Sequence, residues 1–193
     1  NYKYNLAVRR TLEALYENYK GSREGKDWEE FMIYLKRVWF SNGIHHHYST
    51  DKFFPGFSRE WFKDAVTQLD DKLLPLPENM NKEGFIPWIT DIMFNPEIAP
   101  KRVNLDPNND LIAASACHFY DGVTAEEVEK YYTGISQPNP ERPLSLGLNT
   151  RVIKKDGKIV EIPWVVGGLY GQALEKVVYW LEKAKEVAEN ERQ

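Results

Sequence analysis

The chain has 193 residues with a formal net charge of −4, and 42% of its residues are hydrophobic. That composition supports a packed core and argues against a disordered chain. Lys and Arg are interspersed with Asp and Glu, which disfavours nucleic acid and anionic membrane surfaces as partners. No apolar run approaches the roughly 20 residues that a membrane span requires. A peptide, a protein or a small molecule is therefore the expected class of partner.

Helical spacing dominates the first part of the chain. A first helix is predicted from one apolar stripe and a stop at Gly21, and its stripe consists of Leu6, Val8, Leu12, Leu15, Tyr16 and Tyr19. Asp27 followed by Glu30 has the form of a capping box and predicts the start of a second helix. Ser58 is the expected cap of a third helix that continues to about Leu69.

Prolines interrupt the middle of the chain, so short helices between loops are expected there, with residues 110–120 as one candidate. Thr124 and Glu127 form a second capping box, which predicts a helix containing Val128, Tyr131 and Tyr132.

One clear β signal follows. Residues 148–155 and 158–165 flank Asp156-Gly157, a pair typical of a type I′ turn, so Ile153 should face Val160 across a hairpin.

A last helix is predicted over 171–193. The predicted fold class is α+β, mainly α-helical with a small β-hairpin or partial barrel, and residues 1–193 are expected to form a single domain.

Cys117 is the only cysteine, which excludes an internal disulfide and a thiolate cluster within this chain. A reducing compartment such as the cytoplasm is the expected location.

The chain starts at Asn1 with neither a signal peptide nor an initiator methionine, and its last helix lacks a stop signal. We therefore expect a domain that has been excised from a longer protein.

Three consecutive histidines in a connection between helices form the most unusual stretch of the sequence. His45 and His47 would point the same way on an extended segment and could chelate one metal ion. A catalytic zinc site usually needs a third ligand, and His118 is the only other histidine. No His-Glu-x-x-His helix occurs in the chain. We predict no metal site here, and a metal-binding domain stays an alternative.

Aromatic residues surround the histidines and permit two interpretations. They could be core residues that hold a loop, or they could form a groove wall that grips an extended peptide. They are Trp39, Phe40, Tyr48, Phe53, Phe54, Phe57 and Trp61. The candidate residues for a substrate cleft are Asn42, His45, His46, His47 and Tyr48. No residue is assigned a catalytic role, since adjacent Cys117 and His118 would face different directions on a helix.

Several strings together resemble the dipeptidyl peptidase III family of zinc metallopeptidases in its bacterial form. In chain order they are residues 38–49, 51–53 with Pro55, 119–124, 127–129, 147–150, 167–171, 180–184 and 188–190 with Gln193. These strings occur in the same order as in that family's N-terminal half, and together they span nearly the whole chain. The resemblance implies a two-lobed parent enzyme that releases dipeptides from the N-termini of short peptides.

The resemblance places this chain in the lobe that does not carry zinc. The family's zinc ligands lie in a His-Glu-x-x-x-His helix and a following glutamate segment, and neither motif occurs in this sequence. Zinc and the catalytic residues would belong to a missing lobe, which would be a partner of this chain together with the peptide substrate. The 156–157 hairpin would contribute strands to the lobe's small β-barrel.

The resulting hypothesis is a non-catalytic, cleft-forming part of a dipeptidyl peptidase III-like exopeptidase, with no cofactor in this chain and zinc in the parent. The parent would be cytoplasmic, with a periplasmic or lipoprotein-anchored form as an open alternative. The rival hypothesis is a stand-alone peptide- or protein-binding module without hydrolytic activity.

Overall fold

The structure is a computed structural model that describes residues 4–135, 139 and 141–190. The chain divides into two compact units, residues 1–118 and residues 119–193. The expectation of a single domain over 1–193 stays a prediction.

The first unit is helical. Its α-helices are α1 (Asn5–Asn18), α2 (Lys26–Ser41), α3 (Arg59–Thr67) and α4 (Lys82–Phe94), and a 3-10 turn spans Asp71–Leu73. They enclose a core that is rich in aromatic side chains. Its largest fully buried members are Tyr34, Phe31, Phe62, Phe85, Leu12, Leu15, Leu35, Ile44, Ile89, Ile92 and Met93.

Helix α1 confirms the centre of the predicted stripe, whereas Tyr16 at its edge is 38% exposed. Val8, Leu12 and Leu15 are fully buried, whereas Leu6 is 61% exposed. At 100° per residue Leu6 lies well outside the arc that these three residues share, so its inclusion in the stripe was wrong. Helix α1 ends at Asn18, and Tyr19 already has an extended backbone two residues before Gly21.

The start of α2 differs from the predicted capping box. Gly25 is the N-cap and contributes no side-chain hydrogen bond, while Asp27 lies inside the first turn. The Asp27 carboxylate instead accepts the backbone N–H of Ser58 at 2.7 Å. Ser58 caps α3 as predicted, because its hydroxyl accepts the N–H of Trp61. Asp27 therefore ties the start of α2 to the start of α3.

The proline-rich region contains one substantial helix. Helix α4 includes Pro87 in its interior and is capped by Asn81, whose side chain accepts the N–H of Gly84. Residues 110–120 are not a helix, so that prediction was wrong. Asp110 caps a single turn there by accepting the N–H groups of Ile112 and Ala113. The chain then continues as turns and enters a strand at Tyr120.

The second unit contains β1 (Tyr120–Asp121), α5 (Ala125–Thr133), β2 (Thr150–Lys155), β3 (Lys158–Pro163) and α6 (Gly171–Glu186). The strands form one mixed sheet in the order β1-β2-β3, with β1 parallel to β2. Ile153 pairs with Val160 across the antiparallel hairpin, which confirms the predicted register. Asp156 and Gly157 both have positive φ, as a type I′ turn requires.

Helix α5 begins with the predicted capping box. Thr124 accepts the N–H of Glu127, and the Glu127 side chain accepts the N–H of Thr124. Helix α6 leaves its apolar residues largely exposed, among them Val177, Val178 and Leu181. Helix α6 ends at Glu186, with Val187 as its C-cap, so the prediction that it continues beyond this point was wrong for residues 187–190. Residues 191–193 lie outside the described residues.

Six α-helices and one three-stranded sheet in the described part of the chain confirm the predicted fold class, a mainly helical α+β fold. No helix in the described ranges has the length and apolar character needed to cross a membrane.

Candidate functional site

The segment that carries the histidines is held by the end of α2 and the start of α1. Asn42 ends α2 in the left-handed conformation, and the N–H of Gly43 returns to the carbonyl oxygen of Val38. A Cβ atom at Gly43 would lie 2.1 Å from the side-chain nitrogen of Asn5. The Asn5 side chain also accepts the N–H of Ile44 at 3.2 Å. Glycine is therefore required where the segment leaves α2.

His45 is a buried structural residue. Its side chain is in the core of the first unit, and its Nε2 lies 2.8 Å from the carbonyl oxygen of Ala99. Burial lowers the pKa of His45 below its ordinary value. The neutral ring therefore donates from Nε2 to Ala99, which leaves Nδ1 as an acceptor without a hydrogen-bond partner in the described residues. A peptide has no direct access to this side chain.

His46 and His47 lie on a tight loop. The N–H of His46 donates to Asp51 and its carbonyl accepts from Thr50. The Nδ1 of His46 accepts the N–H groups of Tyr48 and Ser49, each at 3.2 Å. These bonds hold the imidazole of His46 in place. The rings of His46 and His47 stack with their centroids 5.0 Å apart.

This loop and the last turns of α2 form a groove of about 490 Å³. Helix α2 contributes Lys36, Arg37, Phe40 and Ser41, and the loop contributes His46, His47 and Phe53. Phe40 contacts His47 edge to face, and Phe53 contacts His46 in the same way. Tyr48 is 83% exposed beside the groove, with its ring centroid 4.0 Å from that of His47. The wall is thus aromatic, with cations beside it.

The groove is electrostatically one-sided. No acidic residue lines it among the described residues. The carboxylate of Asp51, in the histidine segment, is paired with Lys101 at 2.9 Å. A hydrogen bond from Lys101 is the main cause that holds the pKa of Asp51 below its usual value. The cations of α2 thus face a groove without a counter-charge of its own.

A second cavity, of about 370 Å³, lies in the second unit. Phe119 and Trp164 stack there with centroids 5.3 Å apart, next to residues 147–150. The hydroxyl of Tyr132 donates to Glu161 at 2.9 Å, and burial together with this carboxylate raises the pKa of Tyr132 to about 12. The cavity could not be predicted from the sequence, because Phe119 and Trp164 are 45 positions apart and meet only in the folded unit.

The structure places the five candidate cleft residues differently. His46 and His47 line the groove, and Tyr48 lies exposed beside it. Asn42 ends the helix, and its side chain accepts from Arg9 at 3.3 Å. His45 is buried. Lys36, Arg37 and Ser41 were missed, although their spacing on the helix face with Phe40 was available in the sequence.

Within the described residues no group of three or more His, Cys, Asp or Glu side chains could hold a metal ion. The ring of His45 is already bonded to Ala99 through Nε2. The residues present therefore do not fit a zinc site, and the prediction of a metal-free chain stays a prediction.

No protein family and no curated protein matches this sequence.

Proposed function

We propose that this chain is the non-catalytic, cleft-forming part of a dipeptidyl peptidase III-like zinc exopeptidase that removes dipeptides from peptide N-termini. The observation that carries the proposal is the open aromatic groove lined by His46 and His47, inside the longest string that resembles the family. A second string, residues 147–150, lines the cavity of the second unit. Two separate strings of the resemblance thus contribute to concave surfaces.

The physical role of the chain would be to bind and orient a peptide. Aromatic walls bury apolar side chains and give affinity without covalent chemistry. Zinc, carried by the missing lobe, would supply the Lewis acid and the activated water in the parent enzyme. That lobe and the peptide substrate are the proposed partners. The proposed compartment is the cytoplasm, with a periplasmic or lipoprotein-anchored parent as the alternative.

The same groove also fits the second candidate, a stand-alone peptide- or protein-binding module. Peptide binding is common to both functions, so binding by the isolated chain does not separate them. The presence of a zinc motif in the remainder of the reading frame does.

The test compares the 193-residue chain with the product of the complete reading frame. Both proteins are assayed for release of a dipeptide from a dipeptidyl-naphthylamide, with zinc and with a chelator. We expect chelator-sensitive hydrolysis by the complete product and none by the chain alone. Hydrolysis by the isolated chain would contradict the non-catalytic role. A complete product without a His-Glu-x-x-x-His segment would favour the binding module.

A further inference from the structure

Two cations of α2 line the groove. Lys36 and Arg37 are exposed, and neither side chain makes a hydrogen bond or an ion pair with the described residues. Their neighbours three and four positions away on α2 carry no charge. These neighbours are Met32, Ile33, Tyr34, Trp39, Phe40 and Ser41. Helical neighbours at these spacings are the usual source of compensating acids, so both cations remain available to a ligand.

The cations and the aromatic wall lie on one face. Lys36 is four positions before Phe40, and Arg37 is four positions before Ser41, so all four side chains line the same groove. Phe40 and Phe53 provide an apolar surface, and Phe53 approaches from the loop. A ligand that fits this arrangement has an apolar side chain and an anionic group attached to the same atom or to adjacent atoms.

We propose that the groove binds the C-terminal residue of a peptide, with its apolar side chain against Phe40 and Phe53 and its terminal carboxylate on Lys36 and Arg37. This inference rests on the proposed function, because it names the part of the peptide that this wall receives. A terminal carboxylate shares its Cα with the side chain beside it. In an extended peptide, by contrast, the side chain of the preceding residue points to the opposite face.

The chemistry of the two cations is suited to a carboxylate. A guanidinium can donate two parallel hydrogen bonds to a carboxylate, and an ammonium adds a point charge. Both groups are exposed, so solvent screening reduces the effect of each pair. At low salt, we expect the pairs of the carboxylate with Lys36 and with Arg37 together to raise the affinity about tenfold.

The test titrates four capped tripeptides into the 193-residue chain and follows backbone amide shifts of residues 40–53 by NMR. The probes are acetyl-Gly-Gly-Phe as the free acid, the same peptide as the C-terminal amide, acetyl-Gly-Gly-Gly as the free acid, and acetyl-Asp-Gly-Phe-amide. We expect the Phe free acid to bind about tenfold more tightly than its amide, by the estimate above for two exposed pairs. The glycine peptide should bind more weakly than the Phe free acid, because it lacks the apolar side chain.

The variant Lys36→Met/Arg37→Met should reduce binding of the free acid to the level of the amide and leave amide binding unchanged. Lys63→Met/Lys72→Met is the matched control, since both of these lysines are exposed and lie outside the groove. It removes the same net charge and should leave the preference for the free acid intact. Thermal unfolding of both variants verifies that they are folded.

Equal affinity for acid and amide, no binding of any probe, or an unchanged preference in the Lys36→Met/Arg37→Met variant would overturn the inference. Tighter binding of the Asp-containing amide than of the free acid would overturn the assignment to the terminal carboxylate. Equal binding of acid and amide leaves the peptidase proposal standing. A complete reading frame without peptidase activity removes that proposal but leaves a measured preference for the free acid intact.

Discussion

The ammonium group of Lys52 donates a hydrogen bond to the carbonyl oxygen of Ile92, 3.1 Å away in the last turn of α4. The same group donates to the carbonyls of Asn95 and Ile98 just beyond the helix. Only 5% of Lys52 is exposed. Since the backbone of Lys52 also bridges to His45, a buried cation connects the end of α4 with the histidine segment.

Replacing Lys52 by Met should destabilise the chain by about 3 kcal/mol. The variant keeps the apolar stem but removes the ammonium donor from three carbonyl groups, of which that of Asn95 keeps the N–H of Ile98. A buried polar group left without a partner costs roughly 1–3 kcal/mol. Urea unfolding followed by tryptophan fluorescence measures the change, and hydrogen exchange should show faster exchange in the last turn of α4. Lys101→Met is the matched control, because its ion pair with Asp51 is exposed and screened by solvent and should contribute little to stability. Equal losses in both variants would contradict the structural role of Lys52.

The contribution of Lys52 should depend on pH. Burial lowers its pKa from 10.5 to about 8 in the folded chain. Between these two values the unfolded chain binds more protons at this position than the folded chain, so the free energy of unfolding rises with pH. The slope is at most about 1.4 kcal/mol per pH unit.

Because other groups also titrate, the relevant measurement is the difference in unfolding free energy between the wild type and Lys52→Met from pH 8 to pH 10. We expect this difference to grow in favour of the wild type. A difference that shrinks would mean that the three carbonyl acceptors outweigh desolvation and hold the ammonium form.

His45 should make the chain sensitive to acid. Burial lowers its folded pKa below the ordinary 6.5, so below about that pH the unfolded chain binds more protons and the folded chain loses stability. The loss is bounded by about 1.4 kcal/mol per pH unit. Stability measured between pH 7 and pH 5 should fall less steeply in His45→Gln, whose amide can still donate to Ala99. Parallel pH profiles for the two proteins would contradict a buried neutral His45.

The hairpin turn should be sensitive to a Cβ atom at Gly157. Gly157 has a φ of 74° and nothing within 4 Å of a built Cβ, so only the backbone conformation opposes a side chain. Gly157→Ala should cost about 1 kcal/mol. Gly134→Ala is the control, since Gly134 has a φ of −73° at the end of α5 and ordinary contacts around a Cβ. Thermal unfolding should show a clear loss for the first variant and little change for the second.

Tyr48 should matter for binding and not for folding. Its side chain is 83% exposed and contacts the ring of His47 beside the groove. Tyr48→Ala should change stability by less than about 0.5 kcal/mol, as is usual for exposed positions. We expect it to weaken peptide binding severalfold in the NMR titration. A large loss of stability would mean that Tyr48 supports the loop instead of a ligand.

Features that depend on residues close in sequence could be predicted. Thr124 and Glu127 are three positions apart, and their reciprocal hydrogen bonds follow from that spacing. The turn at Asp156-Gly157 fixes the register in which Ile153 meets Val160. Ser58 caps α3 for the same local reason.

Features that depend on distant residues could not be predicted. The carboxylate of Asp27 reads as a local cap, yet it accepts from Ser58, 31 residues away. Tyr120 reads as the end of a helix, but it pairs with Val152 as a strand. From the sequence alone, Lys52 would be expected at the surface. It is buried because the histidine segment packs against the end of α4, where its ammonium group donates to three backbone carbonyls.

The sequence by itself determined the helical character, the hairpin, the position of the histidine segment and the aromatic surroundings of that segment, because periodicity and turn chemistry act over a few residues. Only the tertiary structure decided that His45 is buried while His46 and His47 line a groove with Lys36 and Arg37. Three adjacent imidazoles have the same chemistry in the sequence. His45 is drawn into the core by its hydrogen bond to Ala99, 54 residues along the chain, whereas His46 and His47 contact the nearby aromatic residues Phe53 and Phe40.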